Sequence, residues 1–105
     1  MHNQPPTKKA LGQHWLKDEH VLHAIAEAAE LGDKDTVLEV GPGLGTLTEV
    51  LAGMAGHVYA VEYDHELAAT LPQRLKAQNV SVEEADILDY DFSKMPDGYK
   101  VVANI

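Results

Sequence analysis

Three glycines at alternate positions, Gly41, Gly43 and Gly45, follow directly on the β-branched run Thr36 to Val40. Lacking a Cβ, glycine lets a backbone turn sharply and come close to a ligand. A helix that opens from such a turn presents amide N–H groups and the positive end of its dipole, which suits a carboxylate or a phosphate. Glu62 stands 21 positions after Gly41, at the end of a second run, His57 to Glu62. An acid at about that spacing, ending the next strand, is placed to take a ribose diol. Two hydrogen bonds to a charged group are worth about 1.5–3 kcal/mol each. Asp86 and Asn104 close two further segments, so three polar side chains are expected at the ends of neighbouring strands. Glycine turn, Glu62 and Asp86 together point to an adenosine-containing ligand. The dinucleotide pattern G-x-G-x-x-G/A asks for a small residue at position 46, where this chain has Thr46. A nucleotide-dependent oxidoreductase is therefore the weaker reading, separable by titrating with each cofactor.

These residues need elements to hold them. Asp18 to Leu31 places Val21, Leu22, Ile25, Ala28 and Ala29 on one helical face, with Asp18 as N-cap and Gly32 as stop. Thr36 to Val40 is a strand. Thr46 and Glu49 read as a capping box opening the helix TLTEVLAGM. His57 to Glu62 is a second strand, and Asp64 caps a third helix carrying Leu67, Leu71 and Leu75. Pro72 interrupts that helix and predicts a kink or break at Thr70 to Leu71, because an interior proline costs about 3 kcal/mol. Val80 to Asp86 and Lys100 to Ile105 complete the strands. They are too apolar to be exposed on both faces, which implies a parallel sheet of α/β class. Right-handed crossovers then give the order 3-2-1-4, with ligand beyond the carboxyl ends where the order reverses.

Composition limits the alternatives. The chain has 105 residues, a net charge of -9 and no cysteine, which excludes disulfides and Cys-based zinc sites. No stretch reaches the roughly 18 apolar residues of a membrane span, and the opening lacks the apolar run of a secretory signal, so a cytoplasmic location is expected. Residues 1–17 carry Lys8, Lys9 and Lys17 without an acid, while the other 88 residues hold five basic and seventeen acidic side chains. The basic arm is the one segment suited to RNA; Lys8 and Lys9 read equally well as solvating charges on a chain terminus. His20 and His23, spaced i and i+3, lack a third ligand at suitable spacing, so no metal is expected. Tyr59, Tyr63, Tyr90 and Phe92 read as core or rim residues.

The pattern E-V-G-P-G-L-G, from Glu39 to Gly45, resembles motif I of class I methyltransferases, whose loop wraps the methionine end of S-adenosylmethionine. Glu39 would then lie near the cofactor's ammonium; the alternative is a buried carboxylate paired with a local amide. The segments KKALGQHWL, VLEVGPGLGTLT, AVEYD, EEADILDYDF and VVANI resemble, in order, the motif series of KsgA-type 16S ribosomal RNA adenine N6,N6-dimethyltransferases. The chain is similar also to the Erm methyltransferases, and the likeness spans Lys8 to Ile105.

The resemblance implies a Rossmann-like class I S-adenosylmethionine-dependent fold, truncated before its remaining strands. Residues 1–17 would be a basic arm contributing to the cofactor site, and residues 18–105 a partial S-adenosylmethionine-binding domain. It implies further that His14 and Leu16 touch the cofactor, that Gly41 and Gly43 meet its methionine end and that Glu62 holds the ribose. Asp86 would take the adenine amino group, with Ile87 and Leu88 packing on the ring. Asn104 would be both cofactor contact and catalytic residue, opening the family's Asn-hydrophobic-Pro-Tyr/Phe motif, of which Asn104 and Ile105 are the first two positions. Two departures are His14, where many relatives have Asn, and Trp15, where many have Phe.

The implied activity is dimethylation of adenine N6 in ribosomal RNA during small-subunit maturation. The implied partner is the small-subunit precursor, and this segment is expected to bind cofactor rather than complete the transfer. A non-catalytic ribosome-assembly factor that binds RNA is the alternative. The segment Lys100 to Ile105, as an apolar edge, is expected to self-associate, which a strictly monomeric light-scattering profile would contradict.

Overall fold

A computed structural model describes residues 18–103. Helix α1 covers Glu19–Ala28, and Asp18 caps it by accepting the His20 N–H at 2.9 Å. Its buried side chains are Leu22 and Ala26, with Ile25 and Ala29 packed at the margin, whereas Ala28 is exposed. The helix stops before Gly32. Glu30 takes the left-handed turn (φ 54°), and the Gly32 N–H is used instead by Asp35 Oδ2 at 2.7 Å. The Lys100 ammonium holds this corner, donating to the Glu30 carbonyl at 2.6 Å and to Asp35 Oδ2 at 3.3 Å.

Four strands follow: β1 Thr36–Val40, β2 His57–Glu62, β3 Val80–Glu84 and β4 Lys100–Ala103. Their order is β3-β2-β1-β4, all parallel, as the sequence predicts. β3 ends two residues earlier than expected, at Glu84. The register levels the carboxyl ends, because Val40 pairs with both Val61 and Ala103, and Val61 with Glu83. Gly41, Glu62 and Glu84 therefore emerge side by side along one edge of the sheet.

Helix α2, Thr46–Met54, packs with α1 on one face of the sheet. There Leu22, Ala26, Val37, Leu47, Leu51, Val58 and Val102 form the larger core. The opposite face is covered by the segment after β3, whose two short 3-10 turns, Ile87–Asp89 and Phe92–Lys94, bring Tyr90 and Met95 against Leu38 and Val61. The Lys94 ammonium reaches Glu83 Oε1 at 2.6 Å and lies 4.8 Å from the centre of the Tyr90 ring, while the Tyr90 hydroxyl donates to Glu83. Phe92 and Tyr63 sit at the rim, 43% and 75% exposed. No described helix is long and apolar enough to cross a membrane.

Three local expectations are corrected. The capping box does not form. Gly45, with φ 88°, is the N-cap of α2 and makes no side-chain cap, so Thr46 is already inside the helix and the Thr46–Glu49 spacing is one residue out of step. The Glu49 carboxylate instead accepts the N–H groups of Lys76 and Ala77 at 3.0 and 2.9 Å. Helix α3, His65–Arg74, is capped by Asp64 on the Leu67 N–H at 2.9 Å and does not break at Thr70–Leu71. It runs through Pro72 to Arg74, because the proline falls in its last turn and Leu71 is fully buried there. Leu75, expected within the helix, is its C-cap.

Candidate functional site

The glycine turn is built from inside. Gly41, Gly43 and Gly45 all have positive φ, at 75°, 59° and 88°. Gly45 is required by packing: a Cβ there would meet Leu71 Cδ1 at 2.5 Å and Leu75 Cδ2 at 3.2 Å, so its bareness lets α3 close on the turn. Gly43 differs, since a Cβ there would meet no described residue within 4 Å. Its φ is what calls for glycine, and no described residue fills the space beside it.

The amides of these glycines are spent within the fold, contrary to the expectation that they stand ready for an anion. Gly41 N–H donates to the Val61 carbonyl at 3.0 Å, Gly43 N–H to Glu62 Oε1 at 3.1 Å, and Gly45 N–H to the Pro42 carbonyl at 3.0 Å. What the glycines deliver is the shape of the turn. The N–H groups left for a ligand are those of the first turn of α2, which no helix satisfies internally.

Glu62 ends β2 and is 7% exposed. Its second oxygen, Oε2, accepts the Asp64 N–H at 2.9 Å, so one carboxylate ties the glycine turn to the entry of α3. Sequence reading places Gly43 and Glu62 in one crevice, and the bond across 19 positions joins them directly. Each oxygen retains a further lone pair for a hydroxyl donor.

Asp86 lies one strand further out. Ala85 N–H donates to the Glu62 carbonyl at 3.0 Å, which sets Asp86 beside the end of β2. Its Oδ1 caps the following 3-10 turn through the Leu88 N–H at 2.9 Å. Ile87 is half-buried on the smaller core, and Leu88 is 88% exposed. His14, Leu16 and Asn104 fall outside the described residues, as does the basic arm. His20 and His23 are both exposed, and no group of three potential metal ligands occurs among the described residues.

Glu39 is the least accessible ionisable group described at the site. It has no exposure, although it is only two residues from the glycine turn. Its Oε1 accepts the Thr48 hydroxyl at 2.5 Å, while Oε2 has no partner among the described residues. Burial pushes its carboxyl up to about 7; the Thr48 hydrogen bond opposes this rise and the charge of Glu62 adds to it. Sequence reading missed Thr48. The signal for it was a polar residue on the buried face of α2, between Leu47 and Leu51.

Comparisons with known proteins bear on the family and the fold. A family model described as Ribosomal RNA adenine dimethylase matches residues 5–105. The chain belongs to the ribosomal RNA adenine dimethylase family. Among the relatives in this family is the Ribosomal RNA small subunit methyltransferase A of Synechococcus sp. (strain WH7803), 50% identical over 103 residues, covering 93% of this chain and 36% of the relative. The Probable ribosomal RNA small subunit methyltransferase A of Methanothermobacter thermautotrophicus is 47% identical over 98 residues, covering 93% of this chain and 35% of the relative. Of the solved structures, a dimethyladenosine transferase from Plasmodium falciparum matches with a TM-score of 0.73 and 30% identity, over 84% of this chain and 32% of its own. The 23S rRNA methyltransferase ErmE also matches at 0.73, with 37% identity, over 82% and 35%. The fold is thus the Rossmann-like class I methyltransferase fold, and the chain spans about a third of the length of its relatives.

Proposed function

We propose that this chain is the donor-binding portion of an S-adenosylmethionine-dependent enzyme that dimethylates adenine N6 in ribosomal RNA of the small subunit, acting in the cytoplasm. The observation that carries the reading is the joint of Gly43 with Glu62 at the level sheet edge, next to Asp86. The residues present fit the donor: among the described residues the space beside Gly43 is open, and Glu39 offers to a cationic group a buried oxygen that has no partner among them. When bound, S-adenosylmethionine supplies an electrophilic methyl group on a sulfonium.

Each residue has a share in holding it. The open first turn of α2 receives the carboxylate of the amino-acid end. Glu62 accepts from the ribose hydroxyls through its remaining lone pairs, and Asp86 accepts from the adenine amino group, with Ile87 and Leu88 against the ring. His14 and Leu16, from residues 1–17, are assigned as contacts to the donor. Asn104 contributes its carbonyl oxygen to a proton of the target amine. That hydrogen bond holds the nitrogen in line with the methyl group, and positioning of this kind is a large part of catalysis when neither partner needs activating by a metal.

The donor-binding share of the reaction is assigned to the glycine turn, Glu62 and Asp86, within a chain that spans about a third of the length of its relatives. Isothermal titration with S-adenosylmethionine, followed by labelled-methyl transfer to unmodified small-subunit RNA beside a full-length family member, tests this. Donor binding with little transfer by this chain is expected. Transfer at a rate comparable to the full-length enzyme contradicts the division of labour, and stronger binding of NAD than of S-adenosylmethionine contradicts the donor assignment.

A further inference from the structure

Glu39 has a property that the binding scheme does not use. It is fully buried, one oxygen is held by a neutral hydroxyl and the other has no partner among the described residues. Among the described residues the groups around it supply no positive charge: α2 contributes Thr48, β2 contributes the charged Glu62, and its register partners Ala60 and Val102 are apolar. An ionised carboxylate in such surroundings pays a desolvation cost that only a cation or more donors can offset. Both carboxyls stand at the end of the sheet where the glycine turn begins, with Glu62 bonded to the turn itself.

We infer that donor binding is proton-linked: Glu39 is a neutral acid in the ligand-free protein and releases its proton to solvent when the ammonium of the donor's amino-acid end docks at the glycine turn. This rests on the donor-site reading above. The neutral acid keeps the Thr48 hydrogen bond and carries its proton on the unpartnered oxygen. The cation then exchanges one buried charge problem for an ion pair, while the proton leaves to bulk water. The raised carboxyl, at about 7, puts this exchange within the physiological range. Below it, affinity climbs with pH, approaching tenfold per unit because one proton must leave for each ligand bound; above it, this dependence flattens.

The test is calorimetry of this chain with S-adenosylhomocysteine, which keeps the ammonium but lacks the sulfonium, in buffers of different ionisation enthalpy at about pH 6. Close to one proton released per ligand is expected. Glu39→Gln, which preserves the Thr48 acceptor, is expected to bind without proton release and with affinity flat across the same range. Methylthioadenosine, which lacks the amino-acid end, is expected to bind without release to either protein.

Binding of S-adenosylhomocysteine with no proton release overturns this inference and leaves the donor site standing; so does release that persists in Glu39→Gln. Failure of both nucleosides to bind at any pH overturns the donor site and the inference with it. Carbon-13 NMR of the Glu39 carboxyl decides independently of any ligand or variant. A neutral carboxyl at about pH 6 supports the inference, and an ionised one ends it.

Discussion

The ends of β1 and β2 each bury a glutamate beside the same glycine turn, and the fold treats the two differently. Glu62 has backbone amides on both oxygens, from Gly43 and from Asp64. Glu39 has a single hydroxyl on one oxygen. The cause is position along the strand. Glu62 is the last residue of β2, where the chain turning away from the sheet exposes its N–H groups. Glu39 is one residue inside β1, where the backbone amides belong to the sheet ladder and the hydrogen-bond donor it finds among the described residues is the Thr48 side chain of α2. A buried carboxylate at a strand end is therefore a structural tie, whereas one placed a single residue earlier becomes a group whose charge depends on what docks beside it.

Removing the tie should have the largest effect. Glu62→Ala leaves the Gly43 and Asp64 amides without their acceptor, and two bonds to a charged group at about 1.5 kcal/mol or more each predict a stability loss of about 3 kcal/mol. The urea midpoint should fall with the slope unchanged. Donor affinity should drop by about 100-fold or more, since the ribose acceptor is lost as well. A midpoint that stays put would show that water replaces Glu62 without cost and that the two glutamates do not differ in the way described.

Glu39 should show the opposite sign. Because burial raises its folded-state value from 4.5 to about 7, the native chain holds a proton that the unfolded chain has released in that window. Its contribution to stability is full below 4.5 and is lost as pH rises towards about 7, by about 3 kcal/mol at 1.4 kcal/mol per unit. Glu39→Gln removes this loss. Unfolding free energies measured across the window should move in favour of the variant as pH rises; a difference that does not vary with pH contradicts the neutral buried acid.

Asp86 sharpens the contrast from outside the pair. Its hydrogen bond among the described residues is local, to the Leu88 amide two residues on, and the side chain is only partly buried. Asp86→Ala should cost under about 1 kcal/mol of stability while weakening donor binding about tenfold, as loss of one ligand hydrogen bond does. Calorimetry and urea melts on the same sample separate the two effects, and a stability loss as large as that of Glu62→Ala would contradict the assignment.

Much of this was legible in the residues. Thr36–Val40 and His57–Glu62 are β-branched or alternating runs bounded by glycine or a cap, so their limits and their parallel order follow from pattern and crossover handedness. Asp18 and Asp64 were readable as caps because a side chain two or three residues before a free amide is a local matter. The misses depend on contacts distant in sequence. Glu49 abandons its own helix start for Lys76 and Ala77, Pro72 is carried inside α3 by the packing of its last turn, and α1 ends at Ala28, with Lys100 from β4 holding the corner at Glu30. The same limit applies to the site. Gly43 and Glu62 could be assigned to one crevice, but it was not legible that their bond would consume the glycine amide, nor that Thr48 would be the partner of Glu39 among the described residues.

The most direct test of the donor site is an amide-resolved NMR titration of this chain with S-adenosylhomocysteine. Saturable shifts should concentrate in the glycine turn and first turn of α2, at Glu62 to Asp64 and at Asp86 to Leu88, leaving Asn79 and Lys100 unmoved. Shifts centred away from the carboxyl ends of β1, β2 and β3, or none that saturate, would contradict it.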